Sequence, residues 1–367
     1  MNGARQVPAH TPATPGPAYF NLLTAVRGGA ALAVVIFHLT NSIRADEGTQ
    51  NAVFRWFAPF TKMGWFGVDI FFLISGYGLA AKLVHDQGLS GGAGVLAFAR
   101  NRFWRIFPVY WACCLLAVGL ALATTRFTHA DWRAVFPDTT RDVLASLLLV
   151  EPFTGTIPLL PYVTWTLTCE LVFYLVIMIG IIFRRPLNNP LLLGAAVALA
   201  LLGMAGPLPV LGLVMSFWAQ FACGLLVFCI VHSRAGQGPP ARWAALAALA
   251  GLGLVAWLLH QPRITATVGV GMLFIAAWPA DEQLCALRLV RGLAWCGQIS
   301  YPLFLLHIPI GTRLMHLGGR WIQTDSVLFL LVLAQALAGA LAGALAVHRW
   351  VELPAHSLAR RASLSVR

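Results

Sequence analysis

The sequence predicts an all-α polytopic integral membrane protein, with about ten transmembrane helices packed in one bundle. Three observations carry that expectation. Hydrophobic residues make up 59% of the 367-residue chain and charged residues only 10%, a balance that excludes a water-soluble enzyme with a single anchor. Apolar runs long enough to cross a bilayer recur along most of the chain, broken by polar and Arg-containing connections. The first run, Asn21–Asn41, holds Arg27 and His38 inside it.

Those two residues are in register. Eleven positions at 100° each give about 1100°, within roughly 20° of three whole turns, so both project from one helix face about 16 Å apart along the axis. Ionisable groups inside a membrane are costly and usually functional. The plainer alternative is an arginine snorkelling to the head groups and a histidine satisfied by a neighbouring helix.

Residues 1–18 are rich in Pro, Thr and Ala and read as a short disordered lead, not a cleavable signal peptide. After the first span, Ser42–Lys62 is a polar connection. The second span, about Met63–Val84, contains Asp69. A Gly-rich loop leads to Arg100, Arg102 and Arg105 at the mouth of the third span, about Phe103–Ala123. In the long connection that follows, Val143–Val150 is apolar but too short to cross, so it is expected to lie in the interface or fold back. The fourth span, about Tyr162–Phe183, contains Glu170. Six plainer spans follow: about Leu191–Gly206, Val210–Val231, Trp243–His260, Ile264–Ala280, Leu293–Leu314 and Val327–Val347. Residues 19–350 thus form one membrane domain, and 351–367 a basic tail. The seven cysteines lack metal-ligand spacing and read as small hydrophobes; no metal site is expected.

The net charge of +12 is spread over loops and the C-terminus. It reads as topology and lipid contact, and no nucleic-acid partner is expected. Placing the N-terminus in the cytoplasm puts fifteen of the 25 Lys and Arg residues in inner segments and nine in outer ones, which favours both termini inside. In that orientation Arg27, Arg102 and Arg105 gather toward the cytoplasm. His38, His307, Asp69 and Glu170 gather toward the outside.

An imidazole beside a carboxylate can act as a general base near neutral pH. His38 with Asp69 or Glu170 fits that description, although each carboxylate could instead form a structural ion pair. Arg102 and Arg105, at i and i+3, offer two guanidinium groups suited to phosphates, or simply flank the span on its cytoplasmic side. A covalent route through Cys169 or Ser75 lacks an activating histidine nearby in sequence.

Several motifs, taken in order, resemble membrane-bound acyltransferase family 3. They are AVRGGAALAVVIFHL with its Arg-x₁₀-His pair, GVDIFFLISGYGL, RFWRIFPVYW, WTLTCELVFYL, ISYPLFLLHIPI and RWVELP. Two departures stand out. Many members carry two consecutive glutamates in the fourth span, whereas Glu170 is followed here by Leu171. The chain also ends soon after the tenth span, so acceptors that depend on the soluble esterase-like domain of some members are not expected.

The resemblance implies an O-acyltransferase of the bacterial inner membrane. It would move an acyl group, acetyl first among them, from cytoplasmic acyl-CoA to a hydroxyl of a cell-surface or exported polysaccharide or a glycolipid. His38 would be the base, with Asp69 and Glu170 as catalytic carboxylates. Arg27, Arg102 and Arg105 would hold the donor. Tyr110, Trp165, Tyr174, Ser300 and His307, within the matched motifs, are the candidate substrate contacts. Besides the lipid bilayer, polysaccharide synthesis or export machinery is a candidate partner. The alternatives are succinyl or another acyl group moved to a glucan, glycolipid or small metabolite, a proton-coupled secondary transporter, and a non-catalytic partner in polysaccharide export.

Overall fold

The computed structural model describes residues 21–42, 52–85, 91–128, 137, 139–156, 158–183, 190–206, 212–232, 239–318 and 325–364. The lead expected over residues 1–18 and the last three residues of the tail lie outside these. Every regular element among the described residues is helical.

Helix α1 (Leu22–Asn41) is unbroken, so Arg27 and His38 do share one helix. Asp281 holds its first turn, accepting the Asn21 and Leu22 backbone N–H groups at 3.0 and 2.8 Å. A carboxylate there satisfies orphan donors and favours the positive end of the helix dipole. The connection expected to be plainly polar contains α2 (Ala52–Thr61), an amphipathic helix exposing Trp56, Phe57 and Phe60. A 3₁₀ turn, Lys62–Phe66, then enters α3 (Gly67–His85). Gly64 and Gly67 lie against the Ala33 and Ala30 carbonyl groups of α1, closer than any side chain would permit. The helix α3 therefore begins beside the middle of α1, about two turns from His38.

Helix α4 (Gly91–Thr128) runs 38 residues, about 57 Å, and starts twelve residues before the expected third span. Arg102 and Arg105 consequently lie three turns inside it, not at its mouth. The apolar Val143–Val150 segment folds as most of α5 (Thr140–Leu147) and the turn after it, followed by the single helical turn α6 (Glu151–Thr154). Two residues of α4 pin it: Tyr110 Oη donates to the Ser146 carbonyl at 2.8 Å, and Trp111 Nε1 to the Leu147 carbonyl at 3.0 Å.

The chain continues through α7 (Thr164–Ile182), α8 (Pro190–Ala205), α9 (Gly212–Met215), α10 (Trp218–His232), α11 (Pro239–Leu258), α12 (Pro262–Ala277) and α13 (Asp281–Ala286). Next come α14 (Arg288–Gln298) and α15 (Ser300–Leu306), then a π-helical turn over His307–Thr312 and α16 (Arg313–Gly318). The long α17 (Ser326–Val347) passes through a second π turn, His348–Glu352, into α18 (Leu353–Leu364).

Among the described residues, seven helices are long and apolar enough to cross a membrane, or eight if the pair Arg288–Gln298 and Ser300–Gly318, bent by 64°, counts as one span. The expected count of about ten is corrected accordingly. Two of the ten segments, whose described apolar parts are Gly194–Ala205 and Arg242–Leu258, fall among the shorter apolar helices and are not counted with the seven. The bend in the ninth segment falls at Ile299, where one continuous span was expected.

Two cores hold the bundle. The larger joins α3, α4, α7 and α10 through Phe72, Tyr77, Tyr110, Phe173 and Phe221. The smaller packs Val35 and Leu39 of α1 and Leu303 of α15 against Phe329, Ala336, Ala340 and Ala344 of α17. Small residues at every fourth position of α17 allow the close approach that packs membrane helices, because lipid supplies little hydrophobic drive between them.

Candidate functional site

Five helices leave a cavity of about 230 Å³ between them, and its walls follow helical periodicity. From α1 come Leu23, Thr24 and Arg27; from α3, Phe71, Ser75, Gly78 and Lys82; from α4, Arg102, Arg105 and Ile106. From α7 come Thr166, Glu170 and Tyr174, and from α15, Ser300, Tyr301 and Phe304. Four cationic side chains and one carboxylate therefore face a single space. Such an excess of positive charge in a confined, partly apolar site attracts an anion.

Arg102 is the most buried of the four cations, at 7% exposure. Its guanidinium lies 5.1 Å from the Phe98 ring centroid and 5.2 Å from that of Tyr174, contacts that hold a planar cation in place. Among the described residues its buried Nε has no hydrogen-bond partner, a costly arrangement that a ligand oxygen would relieve. Tyr174 Oη donates to Glu170 Oε1, so the carboxylate is oriented by the residue one turn on. Tyr301 Oη donates to the Ile106 carbonyl at 2.9 Å, and Ser300 Oγ to the Gly297 carbonyl at 2.8 Å. These two hydroxyls therefore have internal partners of their own.

His38 does not line this cavity. Its Nδ1 lies 3.0 Å from the Val34 carbonyl and 3.2 Å from His307 Nε2. The two imidazole centroids are 4.9 Å apart at 55°. His307 is fully buried, with Nδ1 2.7 Å from the Phe304 carbonyl. Phe304 joins the two places. Its ring lines the cavity, lies 5.6 Å from Phe71, another wall residue, and 5.7 Å from the His307 ring.

The expected pairing of His38 with a carboxylate is corrected. Asp69 is fully buried and receives Arg263 Nη2 at 3.0 and 3.1 Å and Gln220 Nε2 at 2.6 Å. The Arg263 guanidinium is sandwiched between Trp65 and Phe217, at 4.9 and 4.7 Å. Asp69 cannot reach His38, because the 3₁₀ turn starts α3 half-way along α1. Glu170 stands among the cavity's cations and accepts from Tyr174, in a cavity that neither imidazole lines.

Of the remaining candidates, Arg27, Arg102 and Arg105 share the cavity, as do Tyr174 and Ser300. Tyr110 is spent on the Ser146 carbonyl. Trp165 donates to the Tyr162 carbonyl at 3.1 Å and packs its ring 4.9 Å from Phe217, and neither Trp165 nor Tyr110 lines the cavity. Among the described residues no imidazole bonds Ser75, which lines the cavity, and Cys169 is buried without lining it. Sequence reasoning did not single out Lys82, Tyr301, Gln220 or Arg263. Lys82 was within reach, since it stands seven residues after Ser75 and so shares its face.

Comparison with known proteins follows the same lines. The family described as "Acyltransferase domain" matches residues 20–349. An acyltransferase of Streptomyces mycarofaciens, MdmB, is 26% identical over 331 residues, covering 81% of this chain and 80% of the relative. The exopolysaccharide production protein ExoZ of Rhizobium meliloti (strain 1021) is 32% identical over 143 residues, covering 37% of this chain and 40% of that protein. No solved structure matches.

Proposed function

The chain belongs to this acyltransferase family, and from that premise we propose that it moves an acyl group, acetyl foremost, from acyl-coenzyme A to a hydroxyl of a cell-surface or exported polysaccharide. The observation that carries the donor assignment is the unpartnered Nε of buried Arg102, in a cavity shared with Arg27, Lys82 and Arg105. Phosphate oxygens suit that set, since guanidinium groups bind them through paired N–H donors. The relative named for exopolysaccharide production favours a glycan acceptor.

The donor's phosphates rest on the four cations and its pantetheine arm runs toward Phe71 and Phe304, past which the thioester meets His38. His38 takes the proton of the acceptor hydroxyl as its oxygen attacks the thioester carbonyl. The new C–O bond forms, the C–S bond breaks, and the leaving thiolate recovers the proton from the imidazolium. Direct transfer is preferred because Ser75 has no base bonded to it and Cys169 lies outside the cavity. Glu170, fixed by Tyr174, balances part of the cavity's charge.

In this reading the protein sits in a bacterial inner membrane with both termini in the cytoplasm, where acyl-CoA is found. The Arg27 end of α1 faces the donor and the His38 end faces the acceptor. The test is acyl-CoA-dependent release of free thiol by the purified protein, with mass spectrometry of the glycan. Equal thiol release with and without acceptor, and no mass gain per repeat unit, would defeat the proposal.

A further inference from the structure

The tautomers of the two imidazoles are dictated by the carbonyl groups around them. A carbonyl oxygen only accepts, so the contact between His307 Nδ1 and the Phe304 carbonyl, at 2.7 Å, places the His307 proton on Nδ1. His307 Nε2 is then a bare lone pair. It faces His38 Nδ1 at 3.2 Å, and that same Nδ1 faces the Val34 carbonyl at 3.0 Å. Both neighbours of His38 Nδ1 are acceptors, so Nδ1 carries the proton and His38 Nε2 is left unprotonated. Had His307 carried its proton on Nε2, it would donate to His38 Nδ1 and move the His38 proton to the other nitrogen.

We infer that His307 is a positioning residue rather than a substrate contact: the Phe304 carbonyl fixes its tautomer, and it in turn makes His38 Nε2 the base. The inference rests on the role proposed above for His38. As His38 Nε2 takes the acceptor proton, positive charge develops on the imidazole and the Nδ1–H bond to His307 strengthens. A neutral partner supplies this without burying a second charge, which a carboxylate at the same place would require. The link to Phe304 adds a consequence. The residue whose carbonyl sets the tautomer also puts its ring in the cavity wall, so a ligand pressing on that ring bears on the orientation of the base. Among the described residues, ionisable groups on elements packed around this end of α1 include Arg55, Lys62, Arg313 and His316. Among the described residues, the His38 ring bonds the Val34 carbonyl and His307 and packs against the rings of Phe37 and His307.

The experiment compares His38→Ala, His307→Leu and His307→Gln in the full chain, purified in detergent, reading kcat, KM for acyl-CoA and the pH dependence of kcat/KM. His307→Leu removes the acceptor. It should lower kcat by roughly tenfold or more, the size expected for losing a hydrogen bond to a charged group, with KM unchanged. The acid limb of the profile should move to lower pH, because the imidazolium loses its support. His307→Gln offers an amide oxygen in place of the ring nitrogen and should recover part of kcat. Nitrogen-15 NMR of the labelled wild-type histidines should show His38 protonated at Nδ1, a reading that does not depend on the fold of any variant. An active His38→Ala would overturn the role proposed for His38, on which this inference rests. An inactive His38→Ala beside an active His307→Leu with an unmoved acid limb, or a wild-type His38 protonated at Nε2, would overturn this inference alone.

Discussion

Asp69 and Arg263 form an ion pair in which one guanidinium nitrogen, Nη2, reaches both carboxylate oxygens, at 3.0 and 3.1 Å, across 194 positions of sequence. The carboxylate is fully buried while the arginine side chain is 39% exposed. The pair ties the start of α12 to the start of α3, with Gln220 of α10 as the third member. Its work is to hold three helices together. Asp69→Asn should therefore destabilise the protein by about 1–3 kcal/mol, less than for a fully buried pair because Arg263 keeps part of its hydration. Asp69→Asn combined with Arg263→Gln should recover much of that loss, read by thermal unfolding in detergent. A stable, inactive Asp69→Asn that the second change does not rescue would return Asp69 to the chemistry.

For His38, replacement by Ala should cut turnover by roughly 10²–10⁴-fold, the usual contribution of a general base, while acyl-CoA affinity holds. Gln can hydrogen-bond but cannot take the proton, and should be equally inactive. Steady-state kinetics beside a donor-binding titration separates the two effects. Normal turnover in a folded His38→Ala protein would remove His38 from the mechanism.

Arg102→Ala should weaken coenzyme A binding by roughly tenfold or more, and Lys should restore only part of it because it lacks the planar fork. Lys82→Ala should weaken it less, as the loss of a single point charge. Raising the salt concentration should weaken binding further where the cavity meets water. Calorimetric titration with coenzyme A checks all three; unchanged affinity in the Arg102 and Lys82 variants together would make the cavity something other than the donor site.

Phe304 separates the cavity from the imidazoles. Phe304→Trp should leave coenzyme A affinity intact and suppress transfer, since a larger ring narrows the way to His38. Phe304→Leu should preserve transfer. Full activity in Phe304→Trp would show that the acyl group takes another path.

Glu151 gives a pH-dependent prediction outside the membrane spans. Its side chain is buried, and neither carboxylate oxygen has a well-aligned hydrogen bond. Burial raises its pKa above the ordinary 4.5, with the Thr164 hydroxyl partly offsetting this. Ionising a group whose pKa is raised on folding costs stability above the unfolded value, a cost that disappears as pH falls below it. Glu151→Gln should thus raise the unfolding temperature at pH 7–8 and have little effect near pH 4. A variant less stable at pH 8 than the wild type would contradict that sign.

Within one helix, sequence alone was enough. Arg27 and His38 share a face because the helical period fixes it, and Arg102, Arg105 and Glu170 project as their spacing requires. Pairings between helices were hidden. His38 and His307 are 269 positions apart, and no local pattern announces that an imidazole, not a carboxylate, would stand beside His38. Depth was misjudged for a related reason. The 3₁₀ turn at Lys62–Phe66 and the glycine contacts with α1 set where α3 begins, and hydropathy does not register either. The span count fell because two apolar segments fall among the shorter apolar helices and another bends at Ile299.

The central claim is that the cationic cavity and His38 serve one transfer, with the donor entering from the Arg27 end of α1 and the acceptor from the His38 end. The most direct measurement uses vesicles in which the protein's orientation has been determined, with acyl-CoA confined to the face at the Arg27 end and a soluble glycan acceptor on the other. Acylated glycan should form in that arrangement and fail to form when the two substrates are exchanged. Product only when both substrates share the Arg27 face would contradict the claim, because His38 would then have to be reached from the donor's side.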